Sequence, residues 1–86
     1  MKSHTSRRFR EAFLELPENV QAHARQAYKL FRQNPAHPNL QFKKVDETRN
    51  IYSVRVGLGH RALGQMDGTG IVWFWIGPHR SYDQRV

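Results

Sequence analysis

The chain has 86 residues, with 14 Lys and Arg against 7 Asp and Glu, giving a formal charge of +7 when its histidines are neutral. At this length there is room for one core, so residues 1–86 read as a single domain, and a two-domain enzyme with a cofactor buried between its halves is excluded. The lack of cysteine excludes a disulfide scaffold, a thiolate nucleophile and a thiolate-held metal, and the longest apolar run, Ile71 to Ile76, falls far short of the about 20 residues of a membrane span, so a cytoplasmic protein without a membrane partner is expected.

Phe9, Ala12, Phe13 and Leu16 recur at the spacing of one helix face, and Arg7, Arg8, Arg10, Glu11 and Glu15 fill much of the other. This predicts an amphipathic helix from about Ser6 to Leu16 with a basic entrance. Leu16-Pro17 interrupts it, because proline disfavours helical geometry in the residue before it yet suits the first turn of a new helix. The second helix carries Val20, Ala24, Ala27, Leu30 and Phe31 as its stripe, with Tyr28 at the margin, and stops at Asn34-Pro35. Beyond Pro38 the period becomes two: Leu40 and Phe42 alternate with Gln41 and Lys43, then Tyr52, Val54 and Val56 alternate with Ser53 and Arg55. Gly57 to Gly59 reads as a turn into a third strand, about His60 to Gln65. Asp67-Gly68 marks the turn before a fourth, Ile71 to Ile76, whose apolar residues on both faces place it inside the sheet. Lys2 to Thr5 is too short and polar to read as a strand. The expected fold is therefore α/β of the α+β type, an N-terminal helical hairpin packed on a four-stranded, mainly antiparallel sheet.

Alternation has a chemical consequence. If Tyr52, Val54 and Val56 face the helices, Ser53 and Arg55 face away, and Lys43 opposes Phe42. Arg61 also faces away if the small Ala62 and Gly64 lie beneath the helices, with Leu63 sharing its side. Lys43, Arg55 and Arg61 then form an electropositive sheet face on which a phosphate can sit; the plainer reading is a solvated surface. The excess of positive charge fits a polyanionic partner. After the fourth strand, Gly77-Pro78-His79-Arg80-Ser81-Tyr82-Asp83 brings an imidazole, a guanidinium, a phenol and a carboxylate close together, a group competent for proton transfer unless it is only a fraying polar turn. His4, His23, His37, His60 and His79 are scattered, with no pair at ligand spacing, so neither a metal nor another cofactor is expected. For Trp73 and Trp75, an inner strand favours packing over base stacking.

The order and spacing of several segments carry a resemblance: Phe31-Arg-Gln-Asn-Pro35, Leu40-Gln-Phe-Lys43, Tyr52-Ser-Val-Arg-Val56, His60-Arg-Ala-Leu-Gly64, Val72-Trp-Phe-Trp-Ile-Gly-Pro-His79 and Tyr82-Asp83. Over roughly residues 9 to 84 the chain resembles the RelE/ParE superfamily of type II toxin–antitoxin toxins, with the RelE-like branch favoured. The resemblance implies a curved sheet with a cognate antitoxin wrapped over it. For RelE-like members it also implies endonucleolytic cleavage of mRNA on the ribosome, through 2′-hydroxyl attack stabilised by the basic sheet face. Carried over by position, the implied catalytic residues are Arg61, Arg55, His79 and Tyr82; the expected RNA-binding residues are Lys43, Lys44, Arg55 and Arg80. One of two basic positions in the family's second strand falls instead on Ser53. His79 is then the expected acid, while the base stays open between Tyr82 and a lysine, Lys43 or Lys44. The implied partners are the antitoxin, the ribosome and mRNA, with DNA reached only through the antitoxin. The alternatives are a ParE-like inhibitor that binds DNA gyrase and cleaves nothing, and a catalytically silent homologue.

Overall fold

Residues 1–85 are described by the computed structural model, without the side chains of residues 83–85. Helix α1 (Arg7–Leu14) starts at Ser6, whose hydroxyl accepts the Phe9 N–H at 3.1 Å, satisfying a donor left unpaired in the first turn. Helix α2 (Glu18–Gln33) begins immediately after Pro17. The amide of Gln21 donates to the carbonyls of Phe13, Leu14 and Leu16 at 3.1, 3.3 and 3.1 Å, so α2 itself caps the frayed end of α1.

The alternation at Leu40 and Phe42 does not begin a strand. Pro38–Leu40 forms a 3-10 turn, capped where His37 Nδ1 accepts the Asn39 N–H at 3.1 Å, and it buries Leu40. Gln41 then takes a left-handed conformation, φ 46°, and strand β2 starts only at Lys43 (Lys43–Asp46). Strands β3 (Ile51–Val56), β4 (His60–Asp67) and β5 (Gly70–Pro78) follow as antiparallel neighbours. Gly57 (φ 60°) and Gly68 (φ 61°) make the left-handed steps of the two turns between them.

The sheet has five strands rather than the four expected, in the order β1-β5-β4-β3-β2. The additional strand β1 (Lys2–Thr5) runs parallel to β5, with Ser3 opposite Ile71 and Thr5 opposite Trp73. Its side chains show no apolar alternation because its hold is polar. The Trp73 indole N–H donates to Ser3 Oγ at 3.0 Å, and the Tyr28 hydroxyl donates to the Ser3 carbonyl at 3.4 Å. With β1 on its outer side, β5 is an inner strand, which accounts for its apolar character on both faces. The C-terminal polar segment is a helix, α3 (His79–Arg85).

Both long helices cover one face of the sheet. Ala24 and Phe31 of α2 meet Val54, Val56, Ala62, Ile71, Trp73 and Ile76, with the Phe31 ring edge-on to Phe42 at 5.1 Å and to Trp73 at 5.2 Å. Gly64 lies beneath two of these residues. A Cβ there would approach Ile71 and Trp73 side-chain atoms to 2.7 Å, so only glycine lets them close over β4. The register of β4 with β5 slips by one residue here: Gly64 opposes Trp73 while Leu63 opposes Trp75. This bulge reverses the alternation, so Trp73 packs under the helices while Trp75 joins the opposite face.

Candidate active site

Strand alternation sends Ser53, Arg61 and Leu63 to the face away from α1 and α2, as expected, whereas Arg55, expected on that face, lines a cavity with His23, Ala27 and Leu30 of α2. That face is not an open solvated surface. Ile51 and Leu63 are buried there together with Val45, Phe74 and Trp75, and α3 lays Tyr82 over them. Within this second apolar cluster sit the two buried polar side chains of the described residues, Ser53 and Arg61, at 0% and 6% exposure.

Register fixes their neighbours, since residues directly opposite on antiparallel strands share a face. Lys43 stands opposite Ser53, Arg55 opposite Arg61, and Arg61 opposite Gly77. Gly77 has no side chain to offer there, and the Trp75 ring takes the space, 2.6 Å from where a Cβ would lie. The Arg61 guanidinium donates from Nη2 to Ser53 Oγ at 3.0 Å and to the Gln41 carbonyl at 3.4 Å, and from Nη1 to Gln41 Oε1 at 3.5 Å. Tyr82 closes over it, with the guanidinium carbon 5.2 Å from the ring centroid. The Nε of Arg61 is buried with no acceptor. Arg55 is half-buried and donates from Nε to the Gly57 carbonyl at 3.0 Å.

His79 opens α3. Its backbone N–H donates to the Gly59 carbonyl at 2.8 Å, pinning the helix start to the β3–β4 turn. Its imidazole is exposed and stacks on Tyr82, with centroids 5.4 Å apart and planes 29° from parallel. Arg61, Tyr82 and His79 thus form one column, guanidinium against phenol against imidazole, running from the sheet to solvent. Arg80 is exposed next to it, and Lys43 is exposed at its rim. The Asp83 side chain lies outside the described residues.

Lys44 is not brought to this site. It stands opposite Tyr52 on the helix-covered side, with Nζ 5.7 Å from the Tyr52 ring and 3.5 Å from Glu47. Adjacent strand residues face opposite ways, so Lys43 and Lys44 cannot both serve one face. Tyr82 differs from expectation as well. Its ring is buried against Arg61 rather than displayed in an open turn. Gln41 is a site residue that sequence reasoning missed, since only the left-handed turn that aims its carbonyl inward reveals it.

Charge balance gives the site its character. The ion pairs among the described residues are Arg7 with Glu11, Lys44 with Glu47 and Arg49 with Asp46, and none includes Arg55 or Arg61. Arg61 is therefore a buried guanidinium with no carboxylate partner among those residues. Such an arrangement costs folding free energy, and a bound anion relieves that cost. Among the described residues no three His, Asp or Glu side chains come together as a metal-ligating group.

A helical hairpin on one face of a five-stranded mixed sheet is the fold of RelE-type toxins of known structure. The archaeal RelE–RelB complex of Methanococcus jannaschii contains a chain that superposes with a TM-score of 0.74 at 16% identity, covering 94% of this chain and 95% of that one. The RelBE2 toxin–antitoxin complex of Mycobacterium tuberculosis gives 0.70 at 20% identity, covering 90% and 95%. The isolated RelE toxin of E. coli gives 0.67 at 12% identity, covering 98% and 96%. These likenesses establish the fold. The family described as the ParE-like toxin domain matches residues 18–84, and the chain belongs to that family. No curated protein matches the chain.

Proposed function

We propose that this protein is the toxin of a type II toxin–antitoxin pair, acting in the cytoplasm as an endoribonuclease on mRNA held by the ribosome. The observation that carries the reading is the buried Arg61, without a carboxylate partner among the described residues, against Tyr82 and the His79 stacked on it, with Arg55 opposite in the strand register. RNA cleavage by its own 2′-hydroxyl needs that hydroxyl deprotonated, the charge of the phosphorane stabilised and the 5′-oxygen protonated as it leaves. Two permanently charged guanidiniums suit the middle task. His79, the exposed end of the column, is the proposed acid. Lys43 at the rim or Tyr82 is the proposed base, and Lys43 and Arg80 are proposed to contact the RNA strand. The site is shallow, so the ribosome supplies much of the substrate positioning.

The proposed partner is an antitoxin with an acidic or amphipathic segment, which would neutralise the +7 chain and cover the cationic face. Antitoxins accompany the RelE chains of the M. jannaschii and M. tuberculosis complexes. A second reading, inhibition of DNA gyrase by binding alone, is favoured by two observations: the match to the ParE-like family, and Ser53 in place of a basic residue.

Adding the purified protein to a translating extract, with mRNA ends mapped by primer extension and gyrase supercoiling measured in parallel, tests both. Codon-spaced cuts that vanish in Arg61→Ala and His79→Ala are expected. Supercoiling inhibition without cuts would overturn the nuclease reading in favour of the second.

A further inference from the structure

Ser53 departs from a basic pattern, yet it is the most completely buried polar side chain described, and its hydroxyl accepts from Arg61. Gln41 supplies the remaining acceptors of the same guanidinium from an exposed loop position in a left-handed conformation. We propose that Arg61 is held by an asymmetric clamp: Ser53 is a fixed anchor that positions the guanidinium, and Gln41 is a displaceable acceptor whose two oxygens occupy the place of two phosphate oxygens. This rests on the reading of Arg61 as a phosphate-binding group.

The distances distinguish the two arms. The Ser53 contact, at 3.0 Å, joins neighbouring strands of one ladder and is closed off from water. Charge-assisted hydrogen bonds of this kind are worth roughly twice a neutral one, and burial keeps water from competing. The Gln41 contacts, at 3.4 and 3.5 Å, lie at the outer limit of hydrogen bonding and come from a residue outside the sheet. They present one oxygen to Nη2 and another to Nη1, the fork that a phosphate offers. A phosphate supplies two charged oxygens in their stead, and Gln41 can return to water at little cost because it is already exposed. Ser53 thus does no proton transfer; it sets the plane into which the phosphate docks.

The two arms predict opposite effects. Inorganic phosphate titrated into the full chain, with the Arg61 side-chain nitrogens followed by NMR, measures affinity at the guanidinium itself. Ser53→Ala is expected to weaken binding about tenfold and to speed exchange of the Arg61 Nη protons. Gln41→Gly keeps the left-handed backbone open, removes one competing oxygen, and is expected to tighten binding about two- to threefold. In the extract assay Ser53→Ala lowers the cleavage rate. A merely structural role for either residue would lower the melting temperature and leave phosphate affinity unchanged. If wild-type Arg61 resonances ignore phosphate, the phosphate-binding reading fails and the clamp with it. If they respond but both variants shift affinity in the same direction, or not at all, the clamp alone is overturned.

Discussion

Beneath the helices, Phe31, Val54, Val56, Ala62, Ile71, Trp73 and Ile76 form a continuous apolar and aromatic layer; on the opposite face Ile51, Leu63 and Tyr82 surround a buried serine and a buried arginine. The same strands build both, residue by residue in alternation. The first face meets the ordinary requirement of burial, in which each large side chain contributes about 1.5–3 kcal/mol by leaving water. The second spends stability on a cation whose charge no carboxylate of the described residues balances.

This contrast is broken most directly by truncation. Phe31→Ala removes the ring that joins α2 to Phe42 and Trp73, and is expected to cost about 3–5 kcal/mol in urea denaturation. Arg61→Met, which keeps the volume and removes the charge, is expected to change stability by no more than about 1 kcal/mol, with a gain as the favoured sign, while abolishing cleavage. A loss comparable to that of Phe31→Ala would mean that Arg61 is a structural residue and that the division between the faces is false. Each face also has a glycine pressed beneath an indole. The added methyl of Gly64→Ala meets fully enclosed Ile71 and Trp73, at an expected cost of about 1–3 kcal/mol. Gly77→Ala meets Trp75, which is only half-buried, so its cost should be the smaller of the two. Equal losses would show the far face to be as rigid as the near one.

How far these faces were legible from the sequence depended on where period-two alternation held. It held for Val54 and Val56 against Ser53, and for Ala62 against Arg61, because each strand buries one side under the helices and a slip would expose it. It failed at Trp75, where one extra residue in β5 turns an apparent partner of Trp73 to the opposite face; nothing in an unbroken aromatic run marks a bulge. It failed at Leu40, which is buried by a 3-10 turn rather than by a strand. Strand β1 was hidden because backbone pairing and two polar contacts with Ser3 hold it, and neither leaves an apolar signature. Ser3→Ala tests that account: losing the acceptor of a buried indole N–H should cost about 1 kcal/mol and speed amide exchange in β1 ahead of the other strands. At the site, the positions of Arg61 and His79 could be read from spacing, but the burial of Tyr82 and the part played by Gln41 could not. Both depend on chain reversals that carry α3 and the pre-β2 loop back over the sheet.

The smallest expected effect concerns the edge where the two faces meet. Between β2 and β3, Asp46 accepts the Arg49 backbone N–H at 3.0 Å and the Arg49 Nε at 2.8 Å. The backbone N–H first, and then the Arg49 side chain, hold its carboxyl below the ordinary value. A carboxylate with a depressed folded pKa contributes stability that is present above its unfolded pKa and is lost as pH falls through the folded one. The melting temperature of the wild type should therefore drop more than that of Asp46→Asn between about pH 5 and pH 2, with the two curves converging at the acid end. Because the pair is exposed, the separation will be small, and about 1 M salt should shrink it further. Its importance is positional. This turn and the irregularity between Lys44 and Asp46 set the register that puts Lys43 opposite Ser53 and leaves Lys44 on Tyr52. A variant that loosens the turn is thus expected to weaken the proposed RNA contacts through Lys43 before it measurably unfolds the chain, and a cleavage rate unmoved in Lys43→Ala would take Lys43 out of the site.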